Sequence, residues 1–225
     1  MSFTFIIPFY EAEQELSGQI EALQAAGEAV EILVFDERTA RSESRALQAA
    51  QTMPGVRYFP HAHRNRAALF NDGIRMASNA LVCTLPPDIY PLPGFVAAFA
   101  EAFAQNDTAI AYSDYLIEEA GKPGRTEKLW PFQNNIDERF SLGYFRVYRK
   151  SAVVENGGFN EDLDYAEEYD FRLRIQNEHH IIHLDQPLYR SVVRQVAAVD
   201  PALSKLHSPG QGAKGGFSYL FYTPE

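Results

Sequence analysis

The feature that most constrains the fold of this chain is a regular alternation between short apolar runs and segments with helical periodicity. The apolar runs have the length expected of buried strands, and the segments between them carry apolar residues three and four positions apart. Alternation of this kind predicts an α/β fold with a mainly parallel sheet and right-handed crossovers. The predicted strands are Phe3–Ile7, Glu31–Phe35, Val56–Phe59 and Leu81–Leu85, and the predicted helices between them are Glu13–Ala26, Ser44–Gln51 and Arg66–Ala77.

The later part of the chain contains further segments of both kinds, separated by polar stretches. Residues 118–140 predict a long loop, and residues 208–216 have the composition of a linker. We therefore expect an α/β domain over residues 1–195 and a C-terminal extension over residues 196–225. The extension would begin a second domain, pair with another copy of the chain, or pack onto its own domain. The further predicted strands are Ala109–Tyr112, Tyr144–Tyr148 and Ile181–Leu184, and further helices are Phe95–Phe103 and Arg149–Asn156.

Polar side chains follow three of the predicted strands. Pro8 is predicted to end the first strand, with Tyr10 and Glu11 directly after it. Asp36 follows the second strand, and Asp88 follows the fourth after a pair of prolines. Because the carboxyl ends of parallel strands share one edge, these groups should converge on one crevice, although Asp88 also suits a turn or a helix N-cap. The chain lacks GxGxxG after its first strand and lacks GxxxxGK[ST], which argues against dinucleotide oxidoreductases and P-loop enzymes.

An acidic segment at residues 161–170 precedes and enters another predicted helix. Asp164 and Glu167 fit a capping box, and acidic residues suit the dipole of a helix N-terminus. Capping does not account for Glu168, and a carboxylate at the edge of a cleft can act as a general base. Glu168 is therefore the candidate base.

Charge and cysteine content limit the class of protein. A formal net charge of -10 over 225 residues argues against non-specific nucleic-acid binding, so an anionic substrate would need local cations or a metal. The single cysteine, Cys83, lies in a predicted buried strand and indicates a reducing compartment. The N-terminus lacks a basic signal-peptide region, and no apolar run approaches the ~18 residues of a membrane span. We expect a cytoplasmic protein, with the inner face of the membrane as a peripheral alternative.

Five segments, in this order, resemble the family 2 glycosyltransferases with the GT-A fold. They read IIPFYE, EILVFDERT, NDGIRMASNALVCTLPPDIYPLPGF, GGFNEDLDYAEEYDFRLRI and LDQPLYRSVVR. The resemblance implies a GT-A fold with a mixed, mainly parallel sheet flanked by helices. It also implies transfer of a sugar from a nucleotide-diphosphate donor to an acceptor hydroxyl, with inversion, in glycan or polysaccharide biosynthesis. Members of the family usually use Mn or Mg.

The same resemblance implies roles for individual residues. Glu11 stands where the family often has Asn, and Glu37 replaces a frequent second Asp. Asp88 would be the last carboxylate of a metal-binding Asp-x-Asp motif. Glu168 matches the catalytic base, with Glu167 preceding it as the other catalytic carboxylate. The residues that would bind the donor are Pro8, Tyr10 and Glu11 beside the nucleotide, Asp36 at its base or ribose, and Arg64, Asp88 and Arg194 near the diphosphate.

Two departures from the family pattern bear on the metal. Pro86 stands where the motif usually has its first carboxylate, and Arg194 stands where a His often assists the metal. Asp88 alone would then hold a divalent cation, so we expect metal dependence to be weak or absent. Arg64, Arg66 or Arg194 would in that case neutralise the diphosphate directly.

Two other functions are the alternatives. The incomplete metal motif also fits a catalytically degraded module that only binds nucleotide-sugars. A nucleotidyltransferase has a similar sheet, but it would need a Gly-rich, basic loop after the first strand, and PFYEAEQE is acidic and lacks glycine. The expected partners are a nucleotide-diphosphate sugar, a saccharide or other hydroxyl acceptor, and a second copy or a further domain, with no nucleic acid.

Overall fold

A computed structural model describes most of the chain up to Val193. The described residues are 1–10, 13–25, 30–38, 44–60, 63–86, 88–104, 107–129, 131–132, 142–163 and 166–193. Their strands are β1 (Phe3–Phe9), β2 (Glu31–Asp36), β3 (Val56–Phe59), β4 (Leu81–Thr84), β5 (Ile89–Pro91), β6 (Thr108–Glu119), β7 (Arg125–Glu127), β8 (Arg146–Arg149) and β9 (His180–Val193). Their helices are α1 (Glu13–Gln24), α2 (Arg45–Thr52), α3 (Arg66–Met76), α4 (Phe95–Ala102), α5 (Lys150–Glu155) and α6 (Glu167–Ile175).

The strands form one mixed sheet in the order β3-β2-β1-β4-β8-β6-β9-β5, with β7 paired to β6. The first four strands of this order are parallel to one another, and β6 and β9 form a second parallel pair. Strand β8 lies between β4 and β6 and is antiparallel to both. The prediction of an α/β fold with a mixed, mainly parallel sheet flanked by helices is confirmed.

Both faces of the sheet are covered by helices. Successive side chains of a strand point to opposite faces, so Phe5 and Cys83 face one apolar cluster, while Ile6 and Val82 face the other. Helices α1, α2 and α4 contribute to the first cluster, and helices α3, α5 and α6 contribute to the second. The elements that carry the candidate base and its neighbours therefore pack on the second face.

Pro8 does not end β1, contrary to the prediction, because its missing N–H is not needed there. The Phe9 carbonyl accepts a hydrogen bond from the Glu37 amide, so the backbone polar groups of Phe9 point toward β2 and those of Pro8 point toward β4. The last residue of β1 paired with β4 is Ile6, opposite Thr84. A proline beyond the end of a ladder removes no ladder hydrogen bond, and the strand continues through Phe9.

Strand β6 continues seven residues past Tyr112, the predicted end, and β7 lies within the predicted loop. The longer strand buries the Asp114 carboxylate, whose oxygens contact three polar groups. Its Oδ1 accepts the Leu129 amide at 2.8 Å and lies 2.8 Å from His183 Nε2, and its Oδ2 lies 2.8 Å from Lys128 Nζ. A polar residue that normally marks a loop is therefore held inside a strand.

Helix α6 begins without the predicted capping box. Its N-cap is Ala166, in the left-handed conformation with φ 66°, and this residue makes no side-chain cap hydrogen bond. Asp164 lies outside the described residues. Glu167, the other half of the predicted box, is buried and ion-paired to Arg66 on α3. No helix in the described part of the chain is both long enough and apolar enough to cross a membrane.

Candidate active site

The carboxyl edge of the parallel strands gathers residues from three separate parts of the chain. Tyr10 follows β1, and the first residues of α3 and α6 meet there in an ion pair between Arg66 and Glu167. Ligand sites of open α/β sheets lie at this edge. The structure thus brings Tyr10 close to Arg66 and Glu167, with Glu168 next in the chain. The predicted convergence of Tyr10 with Asp36 and Asp88 at the strand ends stays a prediction.

Glu167 is an anchoring carboxylate. Its side chain is 1% exposed, and its Oε1 lies 2.5 Å from Arg66 Nε. Burial would lower the pKa of Arg66, but the carboxylates of Glu168 and Glu167 outweigh it and raise that pKa. Burial and the charge of Glu37 raise the pKa of Tyr10 to about 12. Tyr10 therefore stays neutral. The ion pair joins α6 to α3.

Glu168 is held by two side chains of β8. Its Oε2 forms an ion pair with Nη2 of Arg146, and its Oε1 accepts a hydrogen bond from the Tyr148 hydroxyl at 3.3 Å. The Glu168 side chain is 12% exposed, so it reaches the surface of the crevice. Burial, with the charge of Glu168, raises the pKa of Tyr148 well above its usual value. Tyr148 therefore acts as a donor to Glu168.

The Asp36 carboxylate is buried and fully engaged within the protein. Arg38 donates to Asp36 Oδ1 through Nε at 2.8 Å and to Oδ2 through Nη2 at 3.0 Å, and the Tyr58 hydroxyl donates to Oδ2 at 2.7 Å. Burial would raise the pKa of Asp36, but these hydrogen bonds hold it below its usual value. A role of Asp36 at the nucleotide stays a prediction.

A chain of polar contacts that the sequence analysis missed links β2 to α3. His63 Nδ1 lies 2.7 Å from Glu37 Oε1, and His63 Nε2 lies 3.0 Å from Asp72 Oδ2. The His63 amide also donates to Glu37 Oε2 at 2.9 Å. The position of His63 a few residues after β3, at the edge where β2 also ends, was the available signal. These contacts fix the segment that leads into Arg66.

Asp88 lies past the end of β4 in the left-handed conformation, with φ 65°. Gln19 on α1 fixes the segment around it, donating through Nε2 to the carbonyls of Pro86 at 2.6 Å and Ile89 at 3.0 Å. Burial raises the pKa of the Asp88 carboxyl. No group of three or more His, Cys, Asp or Glu within the described ranges could hold a metal ion.

The other predicted donor-binding residues are placed as follows. Arg64 is an exposed residue near the 161–162 turn, where its Nη2 lies 3.6 Å from Asp162 Oδ1 and donates to the Glu161 carbonyl. Pro8 lies in β1 opposite Phe35. Glu11 and Arg194 lie outside the described residues, as does Pro87. The residues that the sequence did not indicate are Arg38, His63, Arg146 and Tyr148.

A sequence profile described as "Glycosyl transferase family 2" matches residues 4–156 of the chain. That range contains Tyr10, Asp36, Asp88 and Arg146, and it ends before Glu167 and Glu168. No curated protein sequence matches the chain significantly.

Solved structures share the fold at low sequence identity. The S. aureus TarS 1-349 complex with UDP has a TM-score of 0.67 and 18% identity, covering 86% of this chain and 61% of that one. The TarS 1-349 complex with UDP-GlcNAc has a TM-score of 0.66 and 18% identity, covering 89% of this chain and 62% of that one. The mannosyltransferase PcManGT from Pyrobaculum calidifontis, in complex with GDP-Man and Mn2+, has a TM-score of 0.63 and 13% identity. It covers 85% of this chain and 56% of its own chain. The chain therefore spans less than two thirds of each of these proteins.

Proposed function

Because this chain belongs to glycosyltransferase family 2, we propose that it transfers a sugar from a nucleotide-diphosphate donor to an acceptor hydroxyl. The fold likeness to TarS bound to UDP or UDP-GlcNAc, and to a mannosyltransferase bound to GDP-Man, supports a nucleotide-sugar donor. The observation that carries the proposal is the position of the Glu168 carboxylate at the ligand-binding edge, beside Arg146 and the Arg66–Glu167 pair. A saccharide acceptor in glycan or polysaccharide synthesis is the proposed setting.

In the proposed reaction Glu168 is the general base. Its carboxylate takes the proton of the acceptor hydroxyl while that oxygen forms a bond to the anomeric carbon of the donor sugar. The bond between the anomeric carbon and the diphosphate oxygen breaks, and its electron pair stays on the diphosphate. One displacement of this kind inverts the anomeric configuration. A positioned general base contributes roughly 10²- to 10⁴-fold in rate.

Glu167 has a supporting role in this mechanism. Its side chain is 1% exposed and paired to Arg66, so it does not reach an acceptor hydroxyl. By fixing the first turn of α6 to α3, Glu167 orients the neighbouring Glu168. We assign Glu167 as a positioning residue and Glu168 as the catalytic one.

The test compares Glu168→Gln with Asp170→Asn, another acidic residue of α6, whose carboxylate is ion-paired to Arg174. Release of nucleoside diphosphate from UDP- and GDP-sugars is measured with a panel of saccharide acceptors. We expect Glu168→Gln to lose at least about 100-fold in transfer, by the usual contribution of a general base, with nucleotide affinity nearly unchanged. Asp170→Asn should retain transfer.

Two outcomes would contradict the proposal in different ways. Transfer by Glu168→Gln at a comparable rate would remove Glu168 as the base. Tight binding of nucleotides without release from any donor by the wild-type protein would favour the binding module instead.

We further propose that metal dependence is weak, because Asp88 is the one carboxylate of the predicted motif and Pro86 stands where its first carboxylate usually is. Mg²⁺ usually needs one or two carboxylates together with phosphates and waters. Titration of Mn²⁺ into the protein with UDP or GDP should give only a small gain in nucleotide affinity. A large gain that disappears in Asp88→Ala would contradict this expectation and restore a metal-dependent mechanism.

A further inference from the structure

Arg146 lies at the centre of the sheet and at its ligand-binding edge. In the register of β8, Arg146 is opposite Thr84, the last residue of β4, and opposite Tyr112 of β6. Residues directly opposite in a sheet point to the same face. Since β4 ends at Thr84, the Arg146 side chain stands beside the carboxyl end of a parallel strand, where ligands of α/β sheets bind.

Two arginines pair with the two carboxylates at the start of α6: Arg66 pairs with Glu167, and Arg146 pairs with Glu168. The buried Arg172 lies with its guanidinium 4.7 Å from the centre of the Tyr169 ring. Burial lowers the pKa of Arg172, and the positive charge of Arg146 lowers it further. These five charged groups, which we call the arginine cluster, carry one net positive charge. An anion is the ligand that complements it.

The contacts of Glu168 are those of a base that is not yet available to an acceptor. A general base must form a hydrogen bond with the hydroxyl whose proton it takes. In the structure, one Glu168 oxygen is ion-paired to Arg146, and the other accepts from Tyr148. A competing anion would draw the guanidinium away, since arginine binds phosphate as well as carboxylate in a bidentate manner.

A further observation indicates that this anion is a diphosphate. The Thr84 hydroxyl, opposite Arg146, is buried and has no hydrogen-bond partner within the described residues. A hydroxyl donor beside a guanidinium suits phosphate oxygens, which accept from both.

We propose that Arg146, with the Thr84 hydroxyl, binds the diphosphate of the donor and in doing so releases the Glu168 carboxylate to the acceptor. The inference rests on the proposed function and adds to it the residue that holds the leaving group. It also fixes the order of binding, because the acceptor hydroxyl reaches Glu168 only after the donor has taken the guanidinium.

The first experiment measures the affinity of UDP, GDP, uridine and guanosine by calorimetry. Arg146→Met should weaken diphosphate binding about 10- to 100-fold, as expected for loss of a charged hydrogen bond, and leave nucleoside binding unchanged. Arg146→Lys should keep part of the affinity, and Thr84→Val should lose less than Arg146→Met. Arg57→Met is the control, since Arg57 pairs with Glu31 and the Met76 carbonyl, at the start of β2 and the end of α3.

The double variant Arg146→Met with Glu168→Gln removes both charges of the pair and avoids an uncompensated buried carboxylate. It should show the same selective loss of diphosphate affinity as Arg146→Met. Wild-type diphosphate affinity in both variants would overturn the inference, and so would equal losses for nucleosides and diphosphates.

The second experiment measures acceptor affinity with and without UDP or GDP. The wild type should bind the acceptor several-fold more tightly when the diphosphate is present, and Arg146→Met should lose that dependence. Acceptor binding that is independent of diphosphate in the wild type would overturn the proposed order.

If Arg146→Met loses diphosphate affinity selectively but no donor is ever turned over, the phosphate site stands and the transferase function falls. If Glu168→Gln abolishes transfer while Arg146→Met binds diphosphate normally, only the Arg146 inference falls.

Discussion

At the scale of single residues, Gln19 shows how one buried amide controls a segment far away in sequence. Its Nε2 group donates to the carbonyls of Pro86 and Ile89, on either side of Asp88. A leucine at position 19 would leave both carbonyls without this donor, and we expect a loss of about 1–3 kcal/mol in the free energy of unfolding. Urea denaturation measures the loss, with the exposed Gln24→Leu on the same helix as the control. A loss no larger than in the control would contradict the role of Gln19.

The assignment of Glu168 as the base stays a prediction, and its signal in the sequence is local. Glu168 is one residue beyond what helix capping requires, and Tyr10 and Asp88 follow recognisable strands. Arg146 gave no such signal, since an arginine in the segment RVYR resembles the polar half of an ordinary strand pattern. Only the packing of α6 on β8 brings it to a carboxylate 22 positions later in the chain. Contacts of this kind depend on tertiary structure, and periodicity does not reveal them.

At the scale of elements, Asp114 joins the long strands β6 and β9. Burial would raise its pKa, but the hydrogen bonds from Lys128, the Leu129 amide and His183 hold that pKa below its usual value. A carboxyl with a lowered folded-state pKa stabilises the protein above its unfolded pKa of about 4, and this stability is lost as the pH falls through the folded pKa. We therefore expect the free energy of unfolding to fall with pH below about 4 partly because of Asp114.

Denaturation of the wild type and Asp114→Asn at a series of pH values measures this contribution. The variant should be less stable at neutral pH and should lose less stability on acidification. Asp185→Asn is the control, because Asp185 is exposed and contacts Lys128 only at the surface. An equal acid dependence in wild type and Asp114→Asn would show that Asp114 does not couple the strands to pH.

The same carboxylate explains why element boundaries were the weakest part of the prediction. A Ser-Asp pair after an apolar run normally marks the end of a strand. Here the partners of Asp114 come from β9 and from the segment after β7, so the strand continues to Glu119. Pro8 shows the same dependence on tertiary structure. Its effect on β1 depends on which neighbouring strand its backbone polar groups point toward.

At the scale of the whole molecule, the alternation of strands and helices was enough to predict the class of fold. The first four strands and three helices lie in the predicted order, and the resemblance to family 2 glycosyltransferases is confirmed by the match over residues 4–156. The prediction was less complete beyond β4, because β5 and β7 have only three residues each and most of β9 lies past its predicted end at Leu184. The boundary at residue 195 and the role of residues 196–225 stay predictions, since the extension lies outside the described residues.

The pairing of β5 with β9 has a consequence for synthesis on the ribosome. Ile89, Tyr90 and Pro91 pair with Ser191, Arg190 and Tyr189, although β5 comes only a few residues after β4. A chain that emerges from its N-terminus can assemble β1 to β4 early, but β5 waits for its partner until nearly the whole described domain has been translated. Such distant contacts slow folding and expose strand edges in the meantime. The nascent chain therefore adds β5, the strand that follows the Asp88 segment, to its sheet last.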